Sequence, residues 1–204
     1  SKPERAERPD ERWQVDIMYV KVKGRFFYLI IFIDEYSRYI VHHSLMTSMD
    51  SNSVSLEAQK AIESLRKDSL SFPVIQSDNG SAFISLDFKI VLNNNCLTQK
   101  RIHLHITEQN GIVERANKTI REKITPLIIT DYKNAQNDIS RIVHWYNRER
   151  MHSSLNYLTP MDYYRGDPDE LLRIREEKIR MGRISRKERN MRDRKGGVMA
   201  GATP

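Results

Sequence analysis

Asp16, Asp78 and Glu114 are three carboxylates whose settings suit one shared chemistry. Asp16 stands within Trp13-Gln14-Val15-Asp16-Ile17, among strand-forming apolar residues, where a lone charge is costly unless a metal ion or a salt bridge answers it. Asp78 follows a short apolar run and precedes Asn79-Gly80. Ligands gather at the carboxyl ends of parallel strands, although Asp-Asn-Gly is also ordinary turn chemistry. Glu114 falls in the first turn of an expected helix, either as a metal ligand or as half of an exposed i,i+4 pair with Lys118. Acids of this kind can hold two oxygen-seeking cations roughly 3.5–4 Å apart, which activate an attacking oxygen and stabilise a leaving one at a phosphodiester. Asp16, on the most central strand, is the expected bridge between them.

The elements that must position these residues follow from periodicity. Trp13–Val22, Phe26–Ile33 and Tyr39–Met46 read as strands joined by short connections, hence an antiparallel meander. A helix capped by Ser51 or Ser53 is expected to run to about Arg66. Pro73–Gln76 reads as a short buried strand, Leu86–Leu92 as a short helix and Arg101–Ile106 as another strand. A helix opens at Asn110, expected to be its cap, and runs toward Pro126. Its apolar stripe is Val113, Ala116, Ile120 and Ile124; its polar stripe is Glu114, Asn117, Lys118 and Arg121. A further helix spans about Ala135–Asn147. A meander followed by strand–helix alternation indicates an α/β domain with a mixed sheet.

Composition narrows the class. The chain of 204 residues carries a net charge of +7 and one cysteine, Cys96, which excludes an internal disulfide framework and fits a reducing cytosol. No apolar run approaches the ~20 residues needed to span a bilayer, so no membrane role is expected. Between Arg173 and Lys195 there are 11 basic and 4 acidic residues, so the whole excess charge belongs to the tail. That suggests phosphate contact, against the alternative of a solvated charged helix. The expected organisation is a linker over 1–11, a catalytic core over 12–167, a basic helical tail over 168–195 and a segment without order over 196–204, with order already fading from Met191.

Taken together, these residues resemble the DDE catalytic core of retroviral integrases and bacterial insertion-sequence transposases. Thirty-five residues separate Asp78 from Glu114, the spacing typical of that superfamily. Trp13-Gln14-Val15-Asp16 resembles the first-aspartate strand, Ile33-Asp34-Glu35-Tyr36-Ser37-Arg38 the end of strand two, and Ser77-Asp78-Asn79-Gly80 the second-aspartate motif. The glutamate helix is matched by Glu108-Gln109-Asn110-Gly111-Ile112-Val113-Glu114-Arg115-Ala116-Asn117. Downstream, Tyr146-Asn147, Arg150, His152-Ser153-Ser154-Leu155 and Thr159-Pro160 resemble the bacterial transposase signature. One departure is Thr107, where relatives usually carry proline.

The resemblance, over roughly residues 10–168, implies an RNase H-like fold: a five-stranded mixed sheet flanked by helices, here with a charged C-terminal helical tail. It implies strand transfer by a DNA 3′-hydroxyl, without a covalent protein–DNA intermediate, using two Mg²⁺ or Mn²⁺ ions on Asp16, Asp78 and Glu114. It also implies double-stranded DNA as partner, a homo-oligomer, a DNA-recognition domain elsewhere, and a bacterial cytoplasmic, nucleoid-associated location. Lys118, Arg121, Asn117, Arg150 and His152 are the expected DNA-binding residues. A hydrolytic nuclease of the RNase H type and a catalytically silent DNA- or protein-binding module are the competing readings. His103 and His105 lack partners at zinc spacing and are expected to be structural or surface residues, Asn79 to shape its turn, Asp34 to be structural, and Trp145 and Tyr146 to pack in the core.

Overall fold

The computed structural model describes residues 5–65, 72–102, 110–127 and 129–199, with side chains to Arg192. Two compact units divide between Gly166 and Asp167.

The first unit is built on a five-stranded sheet. β1 (Arg12–Val22), β2 (Arg25–Asp34) and β3 (Ile40–Met46) form an antiparallel meander; β4 (Val74–Ser77) lies parallel to β1, and β5 (Gln99–Arg101) parallel to β4. The spatial order is β3-β2-β1-β4-β5, which puts β1 at the centre. Strand alternation sends successive side chains to opposite faces, and each face has its own core. Met18, Val20, Val22, Leu29, Ile31 and Ile33 pack against α3 (Gly111–Ile124) and α4 (Tyr132–Arg148). Trp13, Val15, Ile30, Phe32 and Ile75 pack against α1 (Ser51–Glu63) and α2 (Leu86–Asn94). This covering of both faces explains why β2 reads as a continuous apolar run. The fold is the expected RNase H-like arrangement of a mixed sheet between helices.

Several boundaries differ from expectation. The α1 cap is Asp50, whose carboxylate accepts from the Ser53 backbone at 2.8 Å, and the helix ends at Glu63. A carboxylate at an N-cap also meets the positive end of the helix dipole, an advantage neither Ser51 nor Ser53 offers. β5 is only three residues long and starts earlier than expected; His103, His105, Thr107 and most of the anticipated strand lie outside the described residues. Asn110 occupies the cap position of α3, yet its side chain makes no capping bond. A short helix, α5 (Pro160–Arg165), had no strong periodic signal but carries a full capping box from Thr159 and Asp162. Residues 5–11, expected as a linker, include a buried Asp10 whose carboxylate accepts from the Trp13 indole at 3.1 Å and the Tyr164 hydroxyl at 2.9 Å. Tertiary hydrogen bonds order this stretch despite its polar composition.

The second unit is one helix, α6 (Pro168–Met199). It continues through the segment expected to lose order from Met191. Arg, Lys, Met and Glu are good helix formers, and they carry the helix into Gly196-Gly197 despite a cost of ~1 kcal/mol per glycine. Among the described residues no helix is long and apolar enough to cross a membrane.

Candidate active site

The site begins with strand register. Arg12, Trp13 and Gln14 of β1 lie opposite Val74, Ile75 and Gln76 of β4 in parallel pairing. Continuing that ladder by two residues sets Asp16 level with Asp78, immediately past the end of β4, on neighbouring strands about 4.8 Å apart. Residues in parallel register point to the same face. Gln14, Asp16 and Met18 share the face covered by α3, so Asp16 opens toward that helix, and the charge of Asp78 reaches it.

α3 is fastened to β1 at two points. The backbone N–H of Val113 donates to Gln14 Oε1 at 3.2 Å, and Asn117 Nδ2 donates to Asp16 Oδ2 at 2.7 Å. Glu114 lies in the turn between those anchors, so the helix cannot dock without carrying Glu114 to the Asp16 side. The apolar stripe sets the helix rotation: Val113, Ala116, Ile120 and Ile124 are all buried.

The carboxylates differ in environment. Asp16 is partly buried; its Oδ1 accepts from its neighbour Ile17 N–H at 2.9 Å. Burial, together with the like charges of Asp78 and Glu114, pushes its carboxyl up to about 6, against the lowering effect of the Ile17 and Asn117 hydrogen bonds. Asp78 and Glu114 are exposed. Asp78 Oδ1 accepts from Gly80 N–H at 2.8 Å, and a Cβ on Gly80 would stand 3.0 Å from that oxygen, so glycine leaves room for the carboxylate. Asp16 thus feels the charge of both other acids. Among the described residues, no three acidic, histidine or cysteine side chains stand close enough to share a metal ion as placed. The donor chemistry nonetheless fits a hard cation: oxygen ligands only, one of them partly buried and repelled by the other two, which a divalent ion would relieve.

The remaining expected site residues divide. Asn117 is only 5% exposed and faces Asp16, so it is not a surface DNA contact. Four positions from the buried Val113, it is turned inward toward the sheet, and it orients a carboxylate. Lys118 and Arg121 stay on the outer surface of α3, where Arg121 lines an open cavity of about 320 Å³ with Met18, Tyr19, Lys21 and Leu127. Arg150 and His152 gather at the C-terminal end of α4 around Tyr146. Asn79 donates to the backbone carbonyl of Ile102 at 2.9 Å, tying the Asp78 loop to the end of β5, in keeping with a turn-shaping role.

Other motif residues have structural work. Asp34, fully buried, accepts from Asp10 N–H, Ser37 N–H and the Ser37 hydroxyl; burial pushes its carboxyl up to about 7. Asn147 accepts from Ile40 N–H at 2.9 Å and donates to Ile40 C=O at 3.0 Å, fastening α4 to the edge strand β3. Tyr146 is a buried core residue, and Trp145 packs beside the core under the Lys123 ammonium, 4.4 Å from its ring centre. Sequence reasoning missed Gln14. Its signal was period two: it shares the Asp16 face and is polar at a position that proves buried.

Comparison with known proteins places this geometry. Two models described as integrase core domain match residues 6–104 and 95–160, together spanning the sheet, α3 and α4. The transposase of insertion sequence IS629 from Shigella sonnei is 28% identical over 160 residues, covering 77% of this chain and 52% of the relative. The putative transposase InsK of IS150 from Escherichia coli is 26% identical over 163 residues, covering 78% of this chain and 56% of the relative. The chain therefore spans a little over half the length of these relatives. Among solved structures, the catalytic core of HTLV-2 integrase in complex with magnesium aligns with a TM-score of 0.63 at 22% identity, covering 78% of this chain and 99% of that one. The catalytic core of BIV integrase aligns at 0.59 and 16% identity, covering 76% of this chain and 93% of that one.

Proposed function

This chain belongs to the integrase core domain family of DDE transposases and integrases, and from that premise we propose that it is the catalytic core of a metal-dependent DNA strand transferase. In this reading a DNA 3′-hydroxyl attacks a phosphodiester of target DNA. A new P–O bond forms to the attacking oxygen, the bond to the target's 3′-oxygen breaks, the attacking hydroxyl gives its proton to solvent, and the leaving 3′-oxygen takes one up to become a hydroxyl. Asp16, Asp78 and Glu114 would hold the two Mg²⁺ or Mn²⁺ ions this chemistry calls for. When bound, the ions would activate the attacking oxygen and stabilise the leaving one.

The observation that supports the reading is a shared neighbourhood: the β1–β4 register, continued two residues, sets Asp16 level with Asp78, the Gln14 and Asn117 anchors hold the Glu114 turn of α3 against β1, and the charges of both acids act on Asp16. The chain's own contribution is positioning. Asn117 and the Ile17 N–H fix both oxygens of Asp16, so its orientation is set before any ion arrives. Asp78 and Glu114 are exposed and can turn toward a cation. Lys118 and Arg121, further along α3, would contact DNA phosphates without reading bases. The substrate is double-stranded DNA, the working form is a homo-oligomer that pairs DNA ends, and the location is the bacterial cytoplasm at the nucleoid.

The deciding experiment compares the protein with its Asp78→Asn variant on labelled duplexes in Mg²⁺ or Mn²⁺. Joined products from the unsubstituted protein, lost in a variant that melts at the same temperature, are expected. Hydrolysed strands without joining would indicate an RNase H-type nuclease instead. Full strand transfer by the variant would remove Asp78 from the site.

A further inference from the structure

A second cluster of charge gathers at the C-terminal end of α4 and is not used by the three acids. Tyr146, at the C-terminal end of α4, is 3% exposed; its ring lies 5.0 Å from the His152 ring, and the Arg150 guanidinium sits 5.9 Å from its centre. Arg38 and Arg115 reach the same neighbourhood: their charges act on Tyr146 along with that of Arg150, and Arg38 and Arg150 both act on His152. Arg38 follows β2 and donates to the Glu35 backbone carbonyl. Arg115 folds back over the first turn of α3, its Nη1 3.5 Å from where a Cβ on Gly111 would be.

None of these three guanidiniums forms an ion pair among the described residues. Glu35, the acid whose charge acts on Arg38, is engaged by Arg12 at 3.1 and 3.3 Å and by Gln14 at 3.3 Å. His152 Nε2 is buried without a hydrogen-bond partner. Burial and the two arginines hold the imidazole of His152 down at about 4, so at neutral pH it is uncharged and can present one N–H. Three guanidiniums without a carboxylate partner among the described residues gather around one buried tyrosine and carry the donors that an anion site needs.

We infer that Arg38, Arg115 and Arg150, gathered beside His152, form a phosphate clamp that holds the DNA backbone next to the metal-binding acids. Planar guanidiniums match phosphate oxygens in pairs, which ammonium groups cannot do. Glu114 and Arg115 are consecutive residues of one helical turn, so the acidic side and the clamp share a rigid support. A strand gripped here would be fixed relative to the reacting phosphodiester. The choice of DNA as the phosphate source rests on the strand-transferase reading.

The test follows the His152 imidazole by ¹H–¹⁵N NMR while inorganic phosphate, and separately a short duplex, is added without divalent metal. Duplex affinity is measured across a salt series for the protein and for Arg115→Gln, Arg150→Gln and, as a control on the opposite face, Lys89→Gln. The expected result is that both ligands shift the His152 signals, that each arginine variant binds duplex roughly 5- to 10-fold more weakly with a salt slope shallower by about one, and that Lys89→Gln matches the unsubstituted protein. If phosphate shifts His152 and duplex does not, the anion site stands and its assignment to DNA fails. If neither ligand moves His152 and both arginine variants bind like the control, the clamp is wrong, while Asp78-dependent strand transfer keeps the proposed function intact.

Discussion

Replacing Asp16 with asparagine should stabilise the metal-free protein and destroy its response to metal. In the native state burial and the charges of Asp78 and Glu114 raise the Asp16 carboxyl from 3.8 to about 6. At 1.36 kcal/mol per unit, ionised Asp16 costs the fold roughly 3 kcal/mol at neutral pH, an upper value because the residue is partly exposed. The Asp16→Asn side chain removes that cost but leaves one oxygen where Ile17 N–H and Asn117 now have two, a loss of about 1 kcal/mol. The net expectation is a gain of roughly 1–2 kcal/mol at about pH 7.5. The pH dependence gives the sign independently. A carboxyl raised on folding contributes stability that is present below the unfolded value near 4 and is lost as pH rises through about 6. The stability of the unsubstituted protein relative to the variant should therefore fall across that window, on top of the pH dependence from Asp34 that both share, and the two should converge below about pH 4. Urea unfolding in EDTA at several pH values measures this. Adding Mn²⁺ should then stabilise only the protein that keeps Asp16. A variant no more stable at pH 7.5, with an unchanged pH profile, would mean that Asp16 is not under pressure from the other two acids, and the reasoning for a shared site would fall.

The other expectations concern the groups that hold the site in place. Asn117→Ala removes the 2.7 Å bond to Asp16 and should lower Mn²⁺ affinity and strand transfer roughly 10- to 100-fold, while urea unfolding shows a fold that persists. Asn147→Ala deletes both bonds to Ile40 and should cost about 2–3 kcal/mol of stability, with the specific activity of the folded fraction little changed. Equal losses of metal affinity in these two variants would contradict the division between orienting and structural asparagines.

The sheet and its helices were legible because their signals are local and repeated. The apolar run of β2, the period of α3 and the Ser77-Asp78-Asn79-Gly80 turn each state their structure within a few residues. Asp16, Asp78 and Glu114 were legible as candidates because a carboxylate among apolar strand residues, one at a strand tip and one in a helix's first turn each break the bland pattern. Asn117 was misread because position on a helical wheel gives a direction, and only the docking of α3 on β1 decides whether that direction meets solvent or Asp16. Gln14 and Asn147 were hard to interpret for the same reason: their partners are 99 and 107 residues away. Arg38 and Arg115 were passed over because an arginine without a partner looks the same in sequence as one with a partner.

The two long-range bonds on β1 also explain why a fold of this kind can carry an acid that works against it. Gln14 and Asp16 sit where apolar side chains would stabilise the sheet more, since Met18, Val20 and Val22 continue the same face as core. Spending two positions on polar groups forfeits roughly 1.5–3 kcal/mol of burial at each. What the chain gains is register between a helix and a strand: Gln14 receives the first turn of α3, Asp16 receives the second, and the carboxylate between them cannot slide. Packing alone tolerates small shifts of a helix along its groove. A metal site does not, because coordination fails over a few tenths of an ångström. The hydrogen bonds therefore supply the positional accuracy, the apolar stripe of α3 supplies the binding energy, and the repulsion left among the three acids is what a divalent cation would discharge.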